Sequence, residues 1–325
     1  MSKSGFQLIL MAALMLMGLR IHSTSSSAQT IPERYWLAGR YDGNRIIVYF
    51  DAVEFGTATP SDAVQIAPPV AIGFFDPVAL SAGSIAKFQT ESHREHFALG
   101  DRYDLLLGRG GVATFTLTTL VGFIGDEQVG NDSYIGALGT LDSADGLLFQ
   151  GNYYVVRRHR ESSQPAGHAG LVSEPVRFDL QEEVASQLNA LGSKIASTDA
   201  RFKIGKISPA FTIQPFTVLN GSLRYYVRAE WKAEQESDRE SAHALAAWMR
   251  LQPALRVLAV ETQTASYGFE EELPILRNVI DLGGAKTGMV VSISNGESVC
   301  LNLMEYRDGV DLAHMRTLQS IRWAE

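Results

Sequence analysis

The sequence predicts a mainly β protein: two β-rich halves, each an antiparallel sandwich or partly closed barrel, with one or two connecting helices. Three observations predict it. Short runs rich in Val, Ile, Tyr, Phe and Thr recur along the chain with apolar and polar residues alternating, the period that gives a strand one buried and one wet face. Gly, Asp and Asn punctuate these runs at intervals typical of antiparallel sheets. One segment alone carries a clear helical stripe with both a start and a stop signal.

The first 28 residues read as an address. Lys3 precedes an apolar run from Phe6 to Leu19, and Ser26-Ser27-Ala28 offers small residues where a signal peptidase cuts. The run falls short of the roughly 20 residues a membrane-crossing helix needs. The expectation is therefore an exported protein, periplasmic or extracellular after cleavage near Ala28, with no transmembrane segment in the mature chain. No cysteine follows the run to carry a lipid.

Residues Trp36–Tyr41 and Arg45–Phe50 flank Asp42-Gly43-Asn44, a pattern that predicts a hairpin because these residues tolerate the positive φ of tight turns. Ser81–Thr90 reads as a weakly patterned short helix. Asp104–Leu107 and Val112–Phe123 surround Gly108-Arg109-Gly110-Gly111 as a second hairpin, and Tyr153-Tyr154-Val155-Val156 as another strand. Glu161–Gly170 is small, polar and interrupted by Pro165, as linkers are. This places an N-terminal β-rich domain at 29–165 and a C-terminal one at 166–325.

The second domain opens with a helix over Leu180–Leu191. Asp179 is its expected N-cap, Glu182 completes a capping-box pattern, and Gly192 is placed to end it. Leu180, Val184, Leu188 and Leu191 form the apolar stripe. Beyond it, 211–218, 223–231, 255–261, 289–294 and 299–306 read as strands. Ser241–Leu251 fits both periods, since Leu245, Trp248 and Met249 suit a helix face while Ala242, Ala244, Ala246 and Trp248 alternate. The reading leans to helix.

Of the 28 basic residues, Lys3 and Arg20 leave with the signal, so 26 face 36 acidic ones and the mature net charge is near −10. That balance disfavours nucleic acid, which needs clustered cations. The compact basic cluster Arg157-Arg158-His159-Arg160 reads as a solvated strand end. Cys300 is the only cysteine, so the fold is expected to be disulfide-free in an oxidising compartment. Its alternating apolar context suggests a small buried hydrophobe, not a nucleophile.

The candidate chemistry is sparse. The acidic loops containing Asp126, Asp132, Asp142 and Asp145 supply hard oxygen ligands, and calcium is the ion they would favour, although the alternating ligands of a dedicated calcium loop are missing. His93-Arg94-Glu95-His96 lacks the i, i+4 pair of histidines that shares a zinc ion on a helix. No Gly-x-Ser-x-Gly elbow occurs, and Gly130–Gly136 around Ser133 has the wrong spacing. No phosphate-binding glycine loop or other cofactor motif is present. Glu261, Glu270, Glu271 and Glu272 are candidates for a carboxylate pair by abundance alone. The aromatic residues Tyr153, Tyr154, Tyr225, Tyr226, Trp231 and Trp248 are expected in the core. Asn131 and Asn220 begin formal glycosylation triplets.

The segment 278–291 (Asn-Val-Ile-Asp-Leu-Gly-Gly-Ala-Lys-Thr-Gly-Met-Val-Val) is faintly similar to the FG-GAP repeats of β-propellers, in which an aspartate-rich turn before an aliphatic strand binds calcium. Only Asp281 remains of the acidic positions, so the likeness implies a strand-turn-strand unit and no more. The expected function is a non-catalytic binding or envelope-associated module with a protein or glycan partner. The alternative is a secreted hydrolase that uses a carboxylate pair, on carbohydrate for example.

Overall fold

Alternation in the first half of the chain closes into a barrel. The computed structural model describes residues 34–42, 44–52, 64–65, 78–79, 99–123, 134–143, 153–159, 169–173, 176–204, 208–231, 244–251, 254–262, 265–266, 269–270, 273–294 and 298–324. Its first strands are β1 (Tyr35–Asp42), β2 (Arg45–Ala52), β3 (Val64–Gln65), β4 (Val78–Ala79), β5 (Arg102–Leu106), β6 (Val112–Phe123), β7 (Tyr134–Leu141) and β8 (Tyr153–Arg158). Antiparallel pairing runs β6-β5-β8-β1-β2-β7, and β7 returns to β6. Six strands thus form a closed ring, which removes the exposed edges an open sheet presents. Trp36, Ala38, Ile46, Val48, Tyr103, Leu105, Phe115, Leu117, Tyr154 and Val156 fill its interior. These are alternate residues on each strand, so their neighbours face outwards.

The second half supplies β9 (Gly170–Leu171), α1 (Phe178–Thr198), β10 (Ala210–Thr217), β11 (Leu223–Glu230), β12 (Ala244–Arg250), β13 (Arg256–Thr262), β14 (Ala265–Ser266), β15 (Phe269–Glu270), β16 (Ile275–Gly283), β17 (Lys286–Ser294), β18 (Ser298–Glu305) and β19 (Arg316–Ala324). Strands β13-β12-β11-β10-β9 make one antiparallel sheet and β16-β17-β18-β19 a meander. The β16–β17 hairpin is the strand-turn-strand unit expected over 278–291.

The layers stack in the order barrel, meander, five-stranded sheet, helix. Outward residues of the barrel, among them Tyr35, Leu37, Ile47 and Val155, pack on Ile280, Leu282, Val290, Leu301 and Leu303 of the meander. The meander's other face, with Val279, Met289, Val291 and Met304, meets Phe216, Tyr226, Ala246 and Trp248. Behind them Tyr225, Val227, Leu245, Ala247 and Met249 receive Leu180, Val184 and Leu188 of α1. The barrel strands end at Arg158 and the sandwich strands begin at Gly170, so the expected boundary at 165 lies outside the described residues.

Two helical expectations are corrected here. Residues 244–250 are strand, not helix. β12 is covered on both faces and its first six residues are all buried, so its sequence is a continuous apolar run that fits a helix face as well as a strand. Helix α1 starts at Phe178 and runs to Thr198, past Gly192. Arg177 occupies the N-cap without a side-chain cap, while Asp179 sits in the first turn, where its charge suits the helix N-terminus. Gly192 ends nothing: it is buried where a Cβ would stand 2.7 Å from the Trp231 ring. Its lack of a side chain lets the helix approach the sheet.

Polar groups bridge barrel and meander. Arg157 is 1% exposed and its Nε lies 3.3 Å from Asp104 Oδ2, so the first residue of the basic cluster is not solvated as expected. Alternation along β8 puts it on the face of Tyr153 and Val155, covered by the meander, while Arg158 remains exposed and pairs with Asp101 at 3.4 Å. Arg157 Nη1 also donates to the Leu282 carbonyl at 3.3 Å, as does the Tyr35 hydroxyl at 3.1 Å. The adjacent Gly283 has φ +82°, and a Cβ there would come 2.9 Å from Arg157 Nη1. Asn278 Nδ2 donates to Tyr153 O at 2.6 Å. Gln319 of β19 accepts from Leu37 N and donates to Tyr49 O at 2.7 Å, taking the place of a ladder pair where β1 and β2 diverge.

Candidate functional site

Leu223, Tyr225 and Leu251 lie on the helix side of the five-stranded sheet, next to Pro215 of β10. Pro215 carries no amide hydrogen, and β10 tolerates it near its edge, where Val172 N donates to the Pro215 carbonyl at 2.9 Å. Helix α1 crosses above with Leu180 turned to the sheet. Between them opens a cleft of about 210 Å³ whose floor is Pro215, Leu223, Tyr225 and Leu251 and whose apolar wall is Val172, Val176 and Leu180. Arg177, Asp179 and Glu183 form its charged lip.

The lip is ordered by its own contacts. Arg177 grips Asp179 through two hydrogen bonds of 3.1 and 2.6 Å, and Gln181 Nε2 donates to Val176 O at 3.1 Å. Burial raises the pKa of Tyr225, and the nearby Arg177 charge opposes that rise. The phenol therefore stays neutral and offers one polar handle on an apolar floor. Phe178, at the first helical position, is 74% exposed, and Leu223 is 38% exposed. Leu223 thus carries the cleft's apolar surface to the outside.

A second cluster involves Glu261 of β13. Its Oε1 accepts from Leu312 N at 2.5 Å, in the loop that joins β18 to β19. Burial pushes its carboxyl above the ordinary range, Asp311 adds to this, and His314 opposes it. Asp311 itself accepts from His314 N at 3.0 Å and contacts His314 Nδ1 at 2.5 Å. A raised carboxyl beside a second acid is the pattern a general acid needs. Here the raised carboxyl is engaged with a backbone amide and ties down a loop, and it does not line the cleft.

The other sequence-derived candidates divide clearly. Asp142 is engaged at the barrel surface, accepting from Arg102 Nη2 at 2.7 Å and Thr116 Oγ1 at 3.3 Å. Asp126, Asp132 and Asp145 lie outside the described residues, as do His93, Glu95, His96, Ser133, Glu271, Glu272 and the 81–90 segment. Among the described residues no group of three His, Cys, Asp or Glu is arranged to hold a metal ion. Cys300 is half-buried on β18 and forms no disulfide. Asn220 is in the β10–β11 turn, where its side chain accepts from Ser222 N at 2.9 Å. Tyr154, Tyr225, Tyr226, Trp231 and Trp248 are buried, and Tyr226 tilts against Trp248 with centroids 4.3 Å apart. These are core aromatics, as expected.

Sequence reasoning missed the cleft. Its lining comes from segments that read only as strand ends and a helix start, and no motif joins them. Among the described residues no helix is long and apolar enough to cross a membrane. Comparison with known families, with curated proteins and with solved structures finds no match.

Proposed function

We propose that this is an exported, non-catalytic binding protein whose cleft beside α1 seats an apolar side chain from a partner protein. The cleft carries this reading, through its apolar floor, its charged lip and its size of about 210 Å³. Pockets for small ligands and cofactors run from about 300 to 1,000 Å³. A smaller apolar pocket with a polar rim suits one anchoring residue, as at the centre of protein interfaces. A protein segment fits the cleft better than a glycan, because sugars stack on exposed aromatic faces and Tyr225, the aromatic residue in its lining, is buried. Export rests on the Lys3 to Ala28 pattern.

The test is capture of partners from the envelope fraction of the source cells with wild-type protein and with Leu223→Asp. The proposal expects a protein retained by the wild type and lost with the variant, while Arg158→Gln, on the barrel, keeps it. Identical captured sets for all three proteins would remove the cleft from the function. Recovery of a mature chain that begins at Gln29 outside the cytoplasm tests the export step.

A further inference from the structure

The opposite face of the same sheet end carries a row of arginines. Tyr225 pairs with Met249, which places Arg224 and Arg250 side by side on β11 and β12, and Arg250 pairs directly with Arg256 of β13. All three belong to the face that carries Tyr226 and Trp248, since residues two apart on a strand share a face.

Among the described residues one acid pairs with this row. Asp308, from the β18–β19 loop, takes the Arg224 guanidinium through two bonds of 2.9 and 2.5 Å, and its Oδ1 also accepts from the Tyr306 hydroxyl at 2.6 Å. Arg250 feels Asp308 only through space. Its Nε is buried and has no hydrogen-bond partner. Like charges directly opposite on neighbouring strands repel, and a buried donor left unpaired is costly. The repulsion is relieved when an anion with two oxygens bridges the outer nitrogens of the pair, because the planar guanidinium fork matches such oxygens. The Arg224–Asp308 contact, one strand away, is an internal example of that geometry. In a chain of net charge −8, a run of three arginines against one acid is a local reversal of sign.

We propose that Arg250 and Arg256, beside the Arg224–Asp308 pair, form a binding site for an oxyanion: a carboxylate or a phosphate, free or as part of a larger ligand. The site is independent of the cleft, which lies on the other face of the sheet.

Thermal melting of the purified protein in phosphate, sulfate, acetate and chloride at equal ionic strength tests this, with calorimetric titration for the dissociation constants. Phosphate and sulfate stabilise folded proteins in general, so the readout is the difference between wild type and the variants Arg250→Gln and Arg256→Gln. Binding to the native state predicts a saturable rise in the wild-type midpoint. Each variant is expected to weaken binding about tenfold or more, while Arg316→Gln on β19 leaves it unchanged. Arg256 is exposed, so its variant is expected to fold even where Arg250→Gln does not. A response to acetate identifies a carboxylate site, and a response to phosphate and sulfate alone a tetrahedral anion site. Equal responses of wild type and Arg256→Gln to every anion would overturn the proposal.

Discussion

Replacing Gly192 with alanine sets two well-measured effects against each other. In an exposed helix interior the change stabilises by about 1 kcal/mol, because glycine loses more backbone entropy on folding. At this position the added Cβ would stand 2.7 Å from Trp231 Cζ2, 2.9 Å from its Cη2 and 3.2 Å from Ile204 Cγ2. The indole cannot simply swing aside. Trp231 is 2% exposed and meets the Phe202 ring edge to face with centroids 5.8 Å apart. Overpacking of this kind costs about 1–3 kcal/mol, so the net expectation is a loss of up to roughly 2 kcal/mol, or about 3 °C in Tm for a chain of this size. Urea denaturation of Gly192→Ala against wild type measures it, and Ser186→Ala, at an exposed position of α1, should instead gain a few tenths of a kcal/mol. In a Trp231→Phe background the clashing ring atoms are gone, and the Gly192→Ala penalty should shrink or reverse. A Gly192→Ala protein more stable than wild type would refute the reasoning, since the helix would then not be held against Trp231 at that point.

Two further predictions concern buried charge. Asp104→Ala leaves Arg157 buried without its carboxylate and should cost about 3–5 kcal/mol in urea unfolding. The double change Asp104→Val with Arg157→Met should recover most of that loss, because no charge is then left inside. Glu261 titrates the opposite way to a usual salt-bridged acid. Burial raises its folded pKa above the ordinary value of 4.5, so its stabilising contribution is complete below that value and is lost as pH rises through the folded one. Glu261→Gln keeps an acceptor for Leu312 N and removes the charge, so its midpoint should exceed the wild type's at about pH 8 and match it at about pH 3.5. Equal midpoints for the two proteins at both pH values would show that this carboxyl is not desolvated in the fold.

The legible part of the fold was the part that keeps one face in water. The strand of Val112–Phe123, with Thr114, Thr116 and Thr118 between apolar residues, reads at sight because its outer face is wet. The stripe of Leu180, Val184 and Leu188 is legible on the same ground. Ala244–Arg250 is not, because a strand sandwiched between helix and meander loses its alternation. Arg157 misleads for a related reason. A basic residue in a basic cluster looks solvated until a partner such as Asp104, 53 positions away, is brought opposite it.

The sequence by itself determined that the chain is β-rich, antiparallel, free of disulfides and carries one amphipathic helix, because periodicity and turn chemistry are local. Tertiary structure alone decided that six strands close into a ring, that the meander is covered on both faces, and that Gly192 serves packing instead of termination. It also assembled the two proposed sites. The cleft takes Val172, Leu180, Pro215, Tyr225 and Leu251 from five separate stretches, and the arginine row takes its members from three strands. Strand pairing over tens of residues creates both, and a one-residue change of register would turn Pro215, Tyr225 and the three arginines to the other face.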